Sequence, residues 1–485
     1  MNYRMILRTL GYILLFETVF LCVPLLTALV YEEREIISFG LTILICGGIG
    51  GLCLLIQPKT FSIYTKEGVV IVALSWIILS LFGAIPFYFS GCVSTYVDAF
   101  FEIVSGFTTT GSSIIPNVEI LPKSILIWRS FSHWIGGMGV LVFIMAFLPM
   151  SGASNLHLMK AESPGPDVSK LVPKIKHTAV ILYLIYTSLT IVMIVFLLFG
   201  EMDFFQALNT ALSTAGTGGF GFKADSMRQF SSYTQIVITV FMLLFSLNFT
   251  SYYLVLRARF KEALTTEIKV FLGIVVGAIA LLTLNLCLSN IPLPDGANTF
   301  WGALKHSAFS VISIMSTTGF VSTDFNLWPN FARAILVVLT FVGACAGSTG
   351  GGLKISRITV LCKGAGNEVR RMLHPKQVRR ITIDGKTVDH EVVRSINAYL
   401  VAYVLIFIVS CLIISLEGLD LVTTFTSVAT TFNNVGPGLE VVGPMGSFAG
   451  FSWWGKLVFS LDMLFGRLEI FPMLMLFVPA TWKKA

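Results

Sequence analysis

The chain has 485 residues, of which 55% are hydrophobic and only 12% are charged, and its formal net charge is +7. Soluble globular domains carry about a quarter charged residues, so this composition excludes a soluble globule and indicates a polytopic membrane protein. The eight cysteines form no C-x-x-C pair and the six histidines form no H-E-x-x-H motif, which argues against a disulfide framework and against a metal site.

Ten segments are long and apolar enough to cross a bilayer, which requires roughly 20 residues. They cover residues 8–31, 36–56, 67–89, 128–149, 178–199, 233–256, 269–289, 332–360, 395–416 and 454–479. The first segment has a basic start, but its apolar run is long and no A-x-A cleavage site follows. It is therefore predicted to be a retained helix rather than a signal peptide.

Four shorter apolar stretches lie between the third and fourth, fifth and sixth, seventh and eighth, and ninth and tenth segments. Each has about ten residues of helical character and ends in a glycine-bearing motif: TTTGSS, STAGTGG, MSTTGFVS or NNVGPG. The glycines taken as equivalent are Gly111, Gly216, Gly319 and Gly436, at intervals of 105, 103 and 117 residues. Irregular backbone at membrane depth must be buried in protein or line water, so these stretches are predicted to be re-entrant pore loops.

The predicted fold is an all-α polytopic membrane protein with four helix–pore loop–helix repeats in pseudo-fourfold symmetry around one pore. Two transmembrane helices precede the repeats. The predicted units are an N-terminal extension (1–62), repeat 1 (63–155, pore loop 97–113), repeat 2 (156–262, pore loop 203–221), repeat 3 (263–365, pore loop 304–322), a basic cytoplasmic linker (366–394) and repeat 4 (395–485, pore loop 420–438).

Loop charge predicts the orientation, because Lys and Arg are retained on the cytoplasmic side. Every second connection is basic, beginning with Arg4 and Arg8 before the first segment. The extreme case is the stretch from Lys354 to Arg394, which includes Arg370, Arg371, Lys376, Arg379 and Arg380. Both termini are therefore expected in the cytoplasm, and the four motifs on the opposite side.

The motif residues suit a filter for a dehydrated monovalent cation. Backbone carbonyls replace the hydration shell of such an ion, and glycine reaches the positive-φ conformations that turn successive carbonyls the same way. The predicted filter comprises Thr109, Thr110, Gly111, Ala215, Gly216, Thr217, Thr317, Thr318, Gly319, Asn434, Val435 and Gly436. The fourth motif departs from Thr-Thr-Gly, which predicts an asymmetric filter with one divergent corner.

A glycine-rich break interrupts the eighth segment and is predicted to form a gate. Gly343, Gly347, Gly350, Gly351 and Gly352 lie within VLTFVGACAGSTGGGLKISR. Each glycine lowers helical propensity by nearly 1 kcal/mol, so residues 343–353 should open into a loop beneath the filter. Close helix packing through a G-x-x-x-G motif is the alternative, but such a packing face does not need three adjacent glycines.

Arg467 lies about fourteen residues inside the tenth segment. An arginine at mid-bilayer is costly and marks a functional site by default. Two interpretations stand side by side: a positive charge that opposes cation passage or bonds the carbonyls of the glycine loop, and a neutralised buried cluster with Asp462 and Glu469.

Other charged residues lie at the starts of the short stretches. Asp98, Glu102 and Asp420 are expected mainly to complement the positive ends of helix dipoles, with the attraction of cations at the pore mouth as a minor role. Lys305 has no assigned role.

With its four glycine motifs, two added N-terminal helices and broken eighth segment, the chain resembles the Trk/Ktr/HKT superfamily of potassium and sodium transporters, and most closely its bacterial TrkH members. The resemblance covers essentially the whole chain. It implies K+ in the filter, an inner-membrane location, a homodimer, and regulation by a cytosolic nucleotide-binding ring of the TrkA type that would contact the basic linker. It also implies that an arginine of the last helix lies at the constriction, which favours the pore interpretation of Arg467.

No covalently bound cofactor, nucleotide site or nucleic-acid partner is expected for the chain itself. Membrane lipid surrounds it, and it is not expected to be an enzyme. Passive conduction and proton-coupled symport both remain open. The alternatives of another class are a cation-coupled secondary carrier with alternating access and a membrane scaffold that binds a soluble partner.

Overall fold

The computed structural model describes residues 1–58, 64–139, 175–289, 299–375 and 380–483, and within these ranges the regular structure is helical except for one short hairpin. The predicted boundaries at residues 62 and 155, the end of the predicted segment 128–149, and the basic residues Lys376 and Arg379 lie outside the described residues.

The elements are numbered in chain order. The first half contains α1 (Tyr3–Val30), α2 (Ile36–Leu54), α3 (Thr65–Gly83), α4 (Ile85–Phe89), α5 (Tyr96–Phe107), α6 (Lys123–Gly137), α7 (Ile175–Leu198), α8 (Phe204–Gly216), α9 (Ser232–Phe245), α10 (Phe249–Leu256) and α11 (Phe260–Ala263). The second half contains α12 (Thr266–Leu288), α13 (Phe300–Met315), α14 (Asn330–Val342), α15 (Ile355–Leu373), β1 (Thr382–Ile383), β2 (Lys386–Thr387), α16 (His390–Ile414), α17 (Leu421–Phe432), α18 (Trp453–Arg467), α19 (Phe471–Phe477) and α20 (Pro479–Trp482). Short 3₁₀ turns cover Val118–Ile120, Phe325–Leu327, Ser415–Glu417 and Glu440–Val442.

Six spans in the described part of the chain are long and apolar enough to cross a membrane: α1, α2, α3 together with α4, α7, α12 and α16. They include the two N-terminal helices and the first helix of each repeat. The pair α9 and α10 would make a seventh, but it is bent by 91°. The remaining predicted spans belong to the second helices of the repeats, which are shorter than the sequence suggests.

The second helix of every repeat ends after 13 to 15 residues. These helices are α6, α9, α14 and α18. The glycine-rich break predicted for repeat 3 is present, since α14 ends at Val342 and α15 begins at Ile355. The prediction of continuous helices over 233–256 and 454–479 is wrong.

Different local signals end the two helices that were predicted to continue. After α9, the side chain of Asn248 accepts the backbone N–H of Thr250 at 2.8 Å and so starts α10 in a new direction. After α18, Glu469 and Ile470 take positive φ values of 61° and 57°, which no α-helix contains. Both devices lie within apolar sequence that keeps the hydropathy of a single span.

The four short helices α5, α8, α13 and α17 are the predicted re-entrant half-helices. Each begins at a polar N-cap whose side chain accepts a backbone N–H from the first turn, and these caps are Thr95, Asp203, Thr299 and Asp420. Their C-terminal turns are buried. Each half-helix therefore runs from an exposed start to a buried end near the centre of the four repeats.

Candidate ion pathway

The four half-helices end with the same backbone geometry. In each, one residue takes a left-handed conformation with φ between 55° and 59°, namely Thr109, Thr217, Thr317 and Asn434. The next residue donates its N–H to the carbonyl five positions earlier, and all four of these bonds measure 2.9 Å. This is the bond pattern of a Schellman helix end. A β-branched threonine rarely adopts positive φ, so its presence at three of the four ends marks backbone strain, which clusters at functional sites.

A glycine with positive φ stands two residues after each left-handed residue. These glycines are Gly111, Gly219, Gly319 and Gly436, with φ of 82°, 74°, 80° and 100°. The four equivalent segments, called the filter segments below, are therefore Thr109-Thr110-Gly111, Thr217-Gly218-Gly219, Thr317-Thr318-Gly319 and Asn434-Val435-Gly436.

The structure corrects the register predicted for repeat 2. Gly216 is the last residue of α8, and Ala215 lies within the same helix. The residue equivalent to Gly111 is Gly219, so the intervals become 219 − 111 = 108, 319 − 219 = 100 and 436 − 319 = 117 residues. The motif STAGTGG offers three glycines, and Thr-Ala-Gly resembles Thr-Thr-Gly more closely than Thr-Gly-Gly does.

The filter segments form a closed ring. A Cβ atom on Gly111 would lie 2.0 Å from the carbonyl oxygen of Gly218, and one on Gly219 would lie 2.0 Å from that of Thr318. A Cβ atom on Gly319 would lie 2.1 Å from the oxygen of Val435, and one on Gly436 would lie 2.8 Å from that of Thr110. Each glycine thus packs against a carbonyl of the next repeat, and repeat 4 returns to repeat 1.

The corner formed by repeats 1 and 4 has additional side-chain bonds. The Asn434 amide donates to Thr110 Oγ1 and to the carbonyl of Met463, both at 2.9 Å. The hydroxyl of Ser112 donates to the carbonyl of Gly436 at 3.2 Å. The fourth motif, although its sequence departs from Thr-Thr-Gly, therefore occupies the equivalent place and brings an amide where the three other repeats have threonine.

The glycine-rich loop, residues 343–354, packs against the ring at the half-helix ends of repeats 3 and 4. The backbone N–H of Gly351 donates to Thr317 Oγ1 at 2.7 Å, and a Cβ atom on Gly351 would lie 2.6 Å from the carbonyl of Asn433. Gly343, Gly347 and Gly352 have φ near +70°. These glycines are needed for the backbone conformation and for the close approach, which supports the loop prediction over the packing alternative.

Polar contacts hold this loop from the side of repeats 2 and 3. Two backbone bonds join the loop to the break between α9 and α10: Phe249 N donates to Gly347 O at 3.0 Å, and Cys345 N donates to Ser246 O at 3.2 Å. Glu267, in the first turn of α12, accepts the backbone N–H of Ala346 at 2.7 Å and that of Ser356 at 3.2 Å. One carboxylate therefore holds both ends of the loop.

Arg467 is the last residue of α18 and bonds carbonyls of two other repeats. It donates to Thr349 O in the loop at 2.7 Å, and to Gly137 O at the end of α6 at 2.7 Å, as well as to Gly136 O. The two acids weighed as its partners have different contacts, since Asp462 accepts from Ser410 and Glu469 pairs with Arg357. The geometry agrees with the interpretation in which Arg467 bonds loop carbonyls.

Lys354 is a second cation in this region and, unlike the half-buried Arg467, it is buried, although in the sequence it stands only at the start of the basic stretch. Its side chain is 3% exposed, and its ammonium group donates to the carbonyl of Gly350. Arg357 is also buried, with its guanidinium 4.1 Å above the Tyr399 ring. Lys354 and Arg357 follow within five residues of Gly352. In the sequence, the apolar residues Leu353 and Ile355 on either side of Lys354 are the one sign that the chain is still buried there.

Of the charged residues noted near the half-helix starts, Asp420 caps its own helix, and the others contact neighbouring helices. The carboxylate of Asp420 accepts the N–H of Thr423 at 2.9 Å, and its bonds to Thr423 keep the pKa of Asp420 below its usual value, so the cap stays ionised. Asp98 pairs with Lys456 of α18 at 2.6 Å. Glu102 is not a cap, because it is fully buried and pairs with Arg129 of α6. Lys305 donates to Ser232 Oγ at 3.0 Å, which links α13 to the start of α9.

This architecture defines a multi-pass helical membrane protein with four helix–pore loop–helix repeats around one pore. Residues 37–484 match the TrkH family, described as "Cation transport protein", and the chain belongs to this family.

Named relatives match over the full length. The "Trk system potassium uptake protein TrkH" of Salmonella typhimurium (strain LT2) is 36% identical over 492 residues, with 100% of both chains covered. The "Trk system potassium uptake protein TrkG" of Escherichia coli (strain K12) is 31% identical and covers 99% of each chain. The crystal structure of the potassium transporter TrkH from Vibrio parahaemolyticus matches with a TM-score of 0.88 at 32% identity, over 100% of both chains. The relatives are named as transport proteins, not as enzymes.

Proposed function

We propose that the chain is a potassium uptake protein that conducts K+ in a channel-like manner through a filter of backbone carbonyls. The observation that carries this proposal is the closed ring of four filter segments, in which each glycine packs on a carbonyl of the next repeat. Carbonyl oxygens replace water around a dehydrated cation. The potassium uptake function in the names of full-length relatives supports K+ as the transported ion.

Residues 343–354 and Arg467 form the gate of this pathway. The loop packs against the ring at the half-helix ends of repeats 3 and 4, and the guanidinium of Arg467 binds its Thr349 carbonyl. A conducting state requires the loop to move away, which breaks that bond and those of Glu267. The charges of the half-buried Arg467 and the buried Lys354 add an electrostatic barrier to cations while the loop is in place.

The protein works in the bacterial inner membrane with both termini in the cytoplasm, as a homodimer under a cytosolic nucleotide-binding ring of the TrkA type. Loop charge supports the orientation, and the bacterial relatives support the location. The end of α15 and the hairpin β1–β2 offer the contact surface for this nucleotide-binding partner, since Arg370, Arg371 and Arg380 are exposed there. Nucleotide would act only through that partner.

Flux measurements on the purified chain in liposomes test the proposal. With a K+ gradient and no other coupled ion, the chain should carry K+ down its gradient at a rate that exceeds protein-free liposomes, and replacement of K+ by Na+ should reduce the flux. Uptake that saturates and requires a gradient of a second ion would instead support the secondary carrier. A complete lack of flux, with and without the nucleotide-binding ring, would support the scaffold.

A further inference from the structure

A buried ion pair lies beside the ring within repeat 1, between α5 and α6, and its arginine also contacts repeat 2. Arg129 Nε lies 2.8 Å from Glu102 Oε1, and the two side chains are 2% and 0% exposed. Burial of two charges is costly unless the pair is well placed and its remaining hydrogen-bonding groups are satisfied. The other bonds of these two side chains show what the pair holds.

Both partners bind the chain where it leaves the ring. Glu102 accepts the backbone N–H of Ile114 at 3.0 Å and the hydroxyl of Ser113 at 2.9 Å, directly after the filter segment of repeat 1. Arg129 donates to the carbonyl of Gly221 at 3.2 Å, directly after the filter segment of repeat 2. One ion pair therefore fixes two neighbouring segments at the same time.

Ring contacts extend this attachment toward the carbonyls of repeat 2. The guanidinium of Arg129 lies 4.0 Å from the centre of the Phe220 ring, and the imidazole of His133, one turn later on α6, lies 4.2 Å from it. His133 Nδ1 also hydrogen-bonds the carbonyl of Gly106 at 2.8 Å, and a Cβ atom on Gly218 would meet that imidazole at 2.2 Å. The α6 helix thus separates and positions the two filter segments.

The pair occurs at one corner of the ring. Counted from the N-cap of the second helix, Arg129 corresponds to Ile238, Leu336 and Phe459. Counted from the filter glycine, Glu102 corresponds to Thr210, Ser310 and Ser427. The three other repeats therefore carry uncharged residues at both positions.

We propose that the Glu102–Arg129 pair is a positioning device that sets the preference of the filter for K+ over Na+. The inference rests on the proposed function and deepens it. By clamping the segments of repeats 1 and 2, the pair prevents the carbonyls of Thr110 and Gly218 from closing around a smaller ion. An ion of the size of K+ then exchanges water for carbonyls at the distance at which they are held.

The test measures K+ and Na+ flux in liposomes for Arg129→Lys, Glu102→Gln and the double variant Glu102→Gln with Arg129→Met. Lysine keeps the charge but lacks the planar fork that reaches both Glu102 and Gly221. Each variant is expected to lower the K+/Na+ flux ratio by about tenfold, the change produced by the loss of one charge-assisted hydrogen bond. Arg333→Gln is the matched control, because Arg333 pairs with Glu440 in a more exposed position. The K+/Na+ flux ratio of this variant should equal that of the wild type.

The double variant keeps the proposal falsifiable if the single variants do not fold, because it removes both buried charges together. A wild-type K+/Na+ ratio in any correctly folded variant of the pair, judged by a monodisperse peak in size-exclusion chromatography, would overturn the proposal. Reduced flux with an unchanged ratio would do the same, since it would indicate a purely structural role. Failure of the proposed function is distinguishable, because the wild type itself would then show no selective cation flux.

Discussion

Arg467 stands where three of the four repeats meet. It belongs to repeat 4, and its guanidinium binds the Thr349 carbonyl of repeat 3 and the carbonyls of Gly136 and Gly137 in repeat 1. Its place at the C-terminus of α18 is favourable for a cation. The same positive charge holds the glycine-rich loop, which packs against the ring that is proposed to attract cations.

Replacement of Arg467 by alanine should raise K+ flux by about tenfold. The variant loses both a positive charge in the pathway and the bond that holds the loop, and about 1.4 kcal/mol of barrier corresponds to that factor. Flux into liposomes measures the effect. Arg259→Ala is the control, since Arg259 is 59% exposed in a surface ion pair and should leave flux unchanged. Equal or lower flux in well-folded Arg467→Ala would remove its barrier role.

Gly219 distinguishes the register found in the structure from the one predicted by sequence. Alanine there would be strained at φ +74° and would place its Cβ 2.0 Å from the carbonyl of Thr318. Gly219→Ala should therefore reduce K+ flux by at least about tenfold, because strain of this kind costs 1 to 3 kcal/mol. The comparison is Gly277→Ala in α12, where no atom lies within 4 Å and alanine favours the helix. Wild-type K+ flux and selectivity in Gly219→Ala would place the filter of repeat 2 elsewhere.

At the scale of elements, the glycine-rich loop is attached to α12 through Glu267. The carboxylate accepts the N–H groups of Ala346 and Ser356, which stand near the two ends of the loop. The neighbouring Thr266 donates its N–H and its hydroxyl to Asp384 of the hairpin, both at 2.7 Å. The start of α12 thus connects the hairpin β1–β2 to the loop by consecutive residues.

Glu267→Ala should increase K+ flux in the absence of any partner, since hydrogen bonds to a charged group contribute about 1.5 to 3 kcal/mol. A rise of roughly tenfold is expected if about half of that energy holds the closed loop. Glu262→Ala provides the control, because Glu262 is 55% exposed and lies close by in sequence. If Glu267→Ala folds and conducts as the wild type does, the loop is held closed by other contacts.

The helix breaks differ in how far they could be predicted from sequence. The break after Val342 has glycines at its positive-φ positions, so propensity alone predicts it. The breaks at Ser246–Asn248 and Leu468–Ile470 contain no glycine themselves, and they depend on the Asn248 cap and on the positive φ values of Glu469 and Ile470. Hydropathy predicts length and burial, and it cannot distinguish one long helix from two short ones that are both buried.

The ion pair beside the ring could not be predicted from the sequence around either of its residues. Glu102 and Arg129 are 27 residues apart, and each has a reasonable local interpretation as a helix-end charge or a loop charge. Only their approach in space shows that they neutralise each other. The four half-helices, by contrast, repeat at regular intervals, and this repetition made the architecture predictable without any contact information.

At the scale of the whole molecule, the far end of α15 carries an exposed surface that combines charge with apolar area. Val369, Met372 and Leu373 are 61%, 80% and 71% exposed beside Arg370 and Arg371. The hairpin joins this surface, since Lys363 donates to the carbonyl of Thr382 at 2.8 Å. A partner that binds here would pull on α15 and on the hairpin, and therefore on both attachments of the loop.

Neutralisation of Arg370, Arg371, Arg379 and Arg380 to glutamine should weaken binding of a TrkA-type regulatory subunit by about tenfold to a hundredfold, because it removes the positive charge that a complementary acidic surface would meet. Co-purification and binding assays in detergent measure the effect. A control with the same number of charges removed, at Arg257, Arg259, Lys261 and Lys269, should bind normally. Unaltered binding of the first variant would place the contact on another surface.

The closed ring is built from one polypeptide, which has a consequence for how such a pathway diversifies. In an assembly of four identical subunits, every substitution appears four times and changes all corners together. Here each corner has its own codons, so Asn434 and the Glu102–Arg129 pair each arise at one corner while the others keep their residues. Because each filter glycine packs against a carbonyl of the next repeat, a substitution in one repeat first alters the packing of its neighbour. Substitutions in adjacent repeats are therefore expected to accompany each other in evolution.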